Sequence, residues 1–276
     1  MVKIGQYNRL RVSKFVDYGL YLDDQDGGEI LLPSKVMPDN VMVDDEIEVF
    51  IYADSDDTLI ATTLKPKACV GEAAYLKVVA VNKIGAFLDW GLAKDILVPF
   101  AEQHKKMEVG RSYIVYLYQD KYAERIVASS KINKFIKDQT EGYKEKQAVS
   151  LLIAGKTDLG YKAIINNKHF GVIYNSDVFQ KLHYGQKIDG YIKTVREDNK
   201  VDLTLQINNK NSRDALSNKI LTHLKNNNGE SQITDKSKPE EIYDLYAVSK
   251  KNYKKALGGL YKERLIIISK DKISLV

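Results

Sequence analysis

The side chains of this 276-residue chain that could do chemistry are flat rings and cations, set at alternating positions of short apolar runs. Phe87, Tyr116, Tyr118, Tyr174 and Tyr191 supply rings; Lys77, Lys162, Lys193, Lys251, Lys254, Lys255, Lys262 and Arg264 supply charge. Rings stack on nucleobases and cations neutralise phosphates, so the pattern predicts a surface for a single-stranded polyanion. Groups able to make or break bonds are scattered instead. His104, His169, His183 and His223 have no Cys or His at metal-ligand spacing, and the lone Cys69 excludes a thiolate cluster and an internal disulfide. Gly155-Lys156-Thr157 mimics the end of a phosphate-binding loop, but Ser150 stands where its first glycine belongs and no helix pattern opens there. Asp54, Asp56 and Asp57 make an acidic turn without the glycine and distal glutamate of a calcium loop. No Gly-x-Ser-x-Gly elbow is present. These absences point away from an enzyme, a metal, a cofactor or a small-molecule substrate.

Charge is mild overall, +5, and unevenly spread. Residues 1–65 hold 6 Lys/Arg against 13 Asp/Glu, a net of −7, whereas residues 66–134, 135–206 and 207–276 carry +4, +2 and +6. An acidic head and a basic body are expected, with the polyanion on the body and the head as a docking or spacer module. No apolar run nears the ~18 residues of a membrane helix, and Met1–Arg9 lacks a signal-peptide core, so a cytoplasmic protein without a membrane partner is expected.

The elements that must position these groups follow from an internal repeat. Three stretches superpose without a gap on Gly19, Gly85 and Gly160. Nine residues earlier stand Leu10, Leu76 and Leu151; seven earlier, Val12, Val78 and Ile153; thirteen later, Leu32, Val98 and Ile173. Asp44, Gly110 and Gly185 follow as tight-turn positions. Period-two alternation in runs of 4–8 residues predicts strands, in the second copy near 73–80, 85–90, 95–99, 112–118 and 124–129, with a short helix or loop over 100–109. Five short strands in so few residues predict a small Greek-key barrel of the OB type. The shared glycine is expected to permit a sharp bend or bulge as strand one gives way to strand two.

On such a barrel the outward positions are Tyr21, Phe87 and Lys162 in strand two. In strand four they are Phe50 and Tyr52, Tyr116 and Tyr118, and Tyr191 and Lys193. In strand one they are Arg9 and Arg11, Tyr75 and Lys77, and Ser150 and Leu152.

Past Ile207 the period becomes helical. Asn208 to Ser212 reads as a polar breaker; Ala215, Ile220, Leu221 and Leu224 mark a first helix ending near Asn226–Gly229. Ser237-Lys238-Pro239-Glu240 reads as a capping-box start of a second helix. Ser249 caps a third, Lys250 to about Glu263, with the stripe Tyr253, Ala256, Leu257 and Leu260 inward and lysines outward. Strands at 265–268 and 273–276 complete a winged helix. The expected fold is therefore mainly β with a C-terminal α+β unit: three tandem five-stranded barrels over 1–65, 66–134 and 144–207, and a winged helix over 211–276.

Gly85-Ala86-Phe87-Leu88-Asp89, with Asp95-Ile96-Leu97-Val98-Pro99-Phe100 and Val109-Gly110, resembles the S1 RNA-binding domain. The first repeat shares the pattern and the third is similar but weaker, with Lys162 in place of the aromatic residue. Pro33, Pro99 and Tyr174 occupy the place of that family's third-strand histidine. Three such barrels before a winged helix resemble the conserved virulence factor B (CvfB-like) family of bacterial regulators. The most specific stretches are Lys77–Phe100, Val127–Lys131, Tyr191–Leu203 and Ser249–Tyr261. The resemblance implies single-stranded RNA binding and post-transcriptional control, over a composite surface of barrels two and three and the winged helix. DNA and ribosome-associated RNA are further candidate partners.

Overall fold

The computed structural model describes residues 1–54, 58–120, 125–139, 142–206 and 210–276, with backbone alone for 210–212. Asp56, Asp57, Glu124, Asn208 and Asn209, used above to mark a turn, a strand end and a breaker, lie outside them. The chain divides into two compact units, Met1–Lys137 and Asp138–Val276.

The first unit holds two closed barrels. One is built from β1 (Tyr7–Val16), β2 (Gly19–Asp23), β3 (Glu29–Pro33), β4 (Glu46–Ala53) and β5 (Leu59–Thr62), in spatial order β1-β2-β3-β5-β4. The next uses β6 (Ala73–Val81), β7 (Gly85–Asp89), β8 (Ile96–Pro99), β9 (Ser112–Gln119) and β10 (Ile126–Ser129), connected in the same way. In the second unit β11 (Ala148–Thr157), β12 (Gly160–Ile165), β13 (His169–Tyr174), β14 (Lys187–Val195) and β15 (Val201–Thr204) repeat the plan. In every copy the third and fifth strands pair in parallel and the rest antiparallel, which closes a Greek-key barrel by pairing the strands that would otherwise be its edges.

The repeat extends to single hydrogen bonds. The first strand bulges between Val12 and Lys14, Val78 and Ala80, and Ile153 and Gly155. Beside the bulge the amides of Asp44, Gly110 and Gly185 donate to the carbonyls of Val12, Val78 and Ile153 at 2.8–2.9 Å. These three turn residues take left-handed φ of +71°, +85° and +81°, so two are glycine. The shared glycine has another cause than the bend expected from sequence. A Cβ on Gly19, Gly85 or Gly160 would lie 2.2, 2.3 or 2.0 Å from the carbonyl oxygen of Leu32, Val98 or Ile173, so the close approach of strand three excludes any side chain. Inward positions fill each barrel, with Leu10, Val12 and Leu32, Leu76, Val78 and Val98, and Leu151, Ile153 and Ile173 all buried.

The winged helix comprises α1 (Lys210–Asn226), β16 (Glu230–Ser231), α2 (Pro239–Tyr246), α3 (Lys250–Lys262), β17 (Ile266–Ile268) and β18 (Ile273–Leu275), the strands ordered β16-β18-β17. Leu216, Ile220, Leu224, Ile242, Tyr253, Leu257, Leu260, Ile266 and Ile273 form its core. Three local expectations are corrected. The helix α1 begins at Lys210, inside the expected breaker, and buries Leu216 while Ala215 is exposed. Ser237 does not cap α2: its hydroxyl accepts from the Thr234 amide, while Lys238 takes the cap position and its amide donates to the Glu241 carboxylate at 3.0 Å. Ser249 does cap α3, accepting from the Asn252 amide at 3.2 Å.

Candidate nucleic-acid interface

Each barrel presents one outer face made by its second and third strands and the loops beside them, the face OB-type barrels use for oligonucleotides. The residue just before the repeat glycine forms the tip of the first loop and is apolar and open in every copy: Tyr18 and Ile84 are 57% exposed and Leu159 64%. Their carbonyls accept from the amides of Ser34, Phe100 and Asn175, which holds the tip over the end of strand three. Sequence inspection missed these three, although their fixed register one before the glycine is a signal that could have found them.

On the second barrel, half-buried Phe87 and exposed Ile84 line a cleft of about 220 Å³. Its walls include Tyr52 and Ala53 of the first barrel and Trp90, Ile96, Leu97 and Val127 of the second. Lys94, whose ammonium donates to the Asp54 carbonyl, Asp95 and Arg125 are among the lining groups. The Trp90 indole N–H donates to the Lys94 carbonyl at 2.5 Å. On the first barrel the corresponding ring is Tyr21, whose hydroxyl is 3.2 Å from that of Tyr18 and whose face lies 5.0 Å beneath the Lys14 ammonium. Hydrogen bonding to Tyr18 raises the Tyr21 phenol above its usual value. Lys14 is shared with Glu29 at 2.5 Å, which blunts its charge.

On the third barrel Lys162 lies 3.4 Å over the Phe170 ring and 3.7 Å from Asp138. Tyr174 is backed by Arg196, whose guanidinium donates to the phenol oxygen and sits 5.7 Å from the ring. Asp202 grips the same guanidinium at 2.6 Å and raises its pKa further. Arg196 was not singled out from sequence, because nothing in its neighbourhood distinguishes it until β15 brings Asp202 alongside. Tyr191 is half-buried, and Lys193 is exposed but paired with Asp177 at 2.7 Å. Leu152, expected outward and open, is buried.

The strand-four rings are corrected most. Phe50 and Tyr52 do not face solvent: they are 0% and 7% exposed, packed edge-on against Trp90 at 5.7 and 6.2 Å in the seam between the first two barrels. Tyr116 and Tyr118 are half-buried under Phe135, which stacks on Tyr116 at 4.5 Å and 10° and leans on Tyr118 at 5.0 Å. Burial raises both phenols. Phe135 thus takes the stacking position a base would use on Tyr116. Lys77 is exposed on β6, opposite Asp89.

Along α3, Lys251, Lys254, Lys255 and Lys262 are exposed, with Arg264 just beyond the helix at φ +58°. Of these, Lys254 is near an acid, 3.8 Å from Asp235. Lys250, at the start of the helix, turns its ammonium back to donate to the carbonyls of Lys236 and Ser237. Tyr261, 57% exposed, stands beside Lys262. Barrel three and the winged helix meet at Gln206, whose amide donates to the Ala247 carbonyl at 2.8 Å and accepts from Asn252 at 2.8 Å and the Ser249 amide at 3.2 Å.

Among the described residues no group of three or more His, Cys, Asp or Glu could hold a metal ion, and no helix is long and apolar enough to cross a membrane. An S1 domain model matches residues 4–64 and 70–131, and a CvfB-like winged helix domain model matches residues 218–275. Protein YitL of Bacillus subtilis (strain 168) is 28% identical, over 94% of this chain and 89% of its own. Conserved virulence factor B of Staphylococcus aureus is 26% identical, over 99% and 94%. A crystal structure of a multidomain protein with nucleic acid binding domains from Streptococcus pneumoniae is 23% identical over 99% of this chain and 98% of that one, with a TM-score of 0.43. The domains matched are of nucleic-acid-binding kinds and the named relatives include a virulence factor, none of them an enzyme family. The chain thus carries S1 domains in front, barrels of one plan throughout and a CvfB-like winged helix domain behind.

Proposed function

We propose that the protein binds single-stranded RNA and acts in post-transcriptional or translational regulation, without chemistry of its own. The observation that carries this reading is the apolar cleft beside the second barrel's outer strands, lined by Phe87 and Ile84 with Arg125 and Lys94. An unpaired base can lie on such a ring whatever its identity, and a duplex keeps its bases out of reach. Barrel three adds Lys162, Tyr174, Tyr191 and Lys193, and the α3 lysines add phosphate contacts. Because the modules share one chain, weak patches reinforce one another through effective concentration. Lys14 is the cation over Tyr21 in barrel one, and its pairing with Glu29 supports a docking or spacer role for that acidic module.

The exposed α3 lysines favour a second reading, a winged helix that reads duplex DNA. Competition between a single-stranded RNA and a DNA duplex of equal charge separates the two. Preference for the single strand supports the proposal, and preference for the duplex overturns it.

A further inference from the structure

The cleft that holds Phe87 contains an acid that stacking does not use. The Asp95 carboxylate lines it, half-buried, and has no hydrogen-bond or ion-pair partner among the described residues. Other acids near this face are engaged: Asp89 pairs with Lys67 at 2.6 Å, and Glu29, at the matching position of barrel one, with Lys14 and Ser13. In barrel three the matching residue is Phe170. Asp95 is therefore a feature of the second barrel alone. Burial, and then the nearby Asp89, raise its carboxyl above the ordinary range.

An ionised carboxylate only accepts, through two oxygens side by side. A protein cation is one conceivable donor, but Lys94 and Arg125 also line the cleft and would repel it while attracting phosphate. A nucleobase entering between Phe87 and the apolar walls brings its own N–H groups. Guanine alone offers two neighbouring donors, N1–H and N2–H, on one edge; adenine and cytosine offer one amine beside an acceptor, and uracil sets one N–H between two carbonyls. We propose that this cleft is a single-base pocket selecting guanine in single-stranded RNA, with Asp95 as the residue that reads the base. The proposal rests on the single-strand reading above.

The chain's one tryptophan, Trp90, lines the same cleft and reports its occupancy by fluorescence. The full-length protein is titrated with a twelve-nucleotide oligouridine and with the same strand carrying one central guanine. The guanine strand is expected to bind about tenfold more tightly, the worth of a charge-assisted pair of hydrogen bonds, and to change Trp90 emission more. Asp95→Asn keeps the shape but replaces one acceptor by a donor. It should cut the preference for the guanine strand over oligouridine to within about twofold. Equal binding of the two strands by the wild type, or an unaltered preference in the variant, overturns the pocket while leaving RNA binding intact. Failure of both strands to bind overturns the underlying reading as well. A Trp90 response to hexa-arginine that Asp95→Asn abolishes, without a guanine preference, overturns the proposal in favour of a protein ligand.

Discussion

At the scale of single residues, the ring and the cation do separable work. Stacking on Phe87 is a short-range interaction that salt does not screen, worth about 1–3 kcal/mol per base. Phe87→Ala should therefore weaken RNA binding by about tenfold at any salt concentration and leave the log–log salt slope unchanged. Lys254→Ala with Lys255→Ala removes charges that displace counterions, and should flatten that slope by about 0.7 for each phosphate no longer neutralised. Filter binding across a salt series tests both, and identical behaviour of the two variants contradicts the division. The Tyr116–Phe135 stack makes a different demand. Tyr116→Ala strips a ring from a packed pair, so its first effect is expected on stability, by about 1–3 kcal/mol in urea unfolding.

Among elements, the strand-two start is the most constrained. Gly85→Ala would drive a methyl to 2.3 Å from the Val98 carbonyl, and backbone cannot rotate aside as a side chain would. A loss of about 3 kcal/mol or more is expected, read as a lower urea midpoint. The segment after β10 is tied down by Glu102. Burial works against its ionised form, but hydrogen bonds from Lys134 at 2.7 and 2.9 Å and from Ser129 at 2.6 Å outweigh this and lower its pKa. A carboxyl lowered on folding stabilises the fold above its unfolded pKa, near the ordinary 4.5, and that contribution is lost as pH falls through the folded value. Stability of the wild type should thus fall on acidification below about pH 4.5 more steeply than that of Glu102→Gln, as a series of urea midpoints from pH 7 down to pH 3 would show.

On the scale of the whole molecule, the modules do not all separate where the repeat does. A cut after residue 65 would expose Phe50 and Tyr52, now buried against Trp90. Trp90→Ala should cost about 3–5 kcal/mol for the same reason. The fragment 1–137 is expected to unfold in one transition, whereas 1–65 is expected to aggregate or unfold early. Tethering should matter for binding. An RNA long enough to reach both units should bind the intact chain more tightly than an equimolar mixture of 1–137 and 138–276, and equal affinities would refute shared capture.

Much of this architecture was legible in the residues. The observed strands of barrel two lie within two residues of those expected, because their limits are written locally, in period-two alternation and in a glycine that only a close backbone approach requires. The α3 stripe was legible because Tyr253, Ala256, Leu257 and Leu260 recur at helical spacing, and β16 was not, because two residues carry no period. Alternation says which side of a strand a ring leaves from, but it is silent on what stands there. Phe50, Tyr52 and Tyr116 all leave the outer side of a barrel, and Trp90 and Phe135 decide that they are covered. The same holds for Asp95, an ordinary acid in the chain that only the fold sets in one cleft with Phe87, Trp90 and Val127. Local chemistry determined the modules; packing between residues distant in sequence decided which of their surfaces remain open to bind.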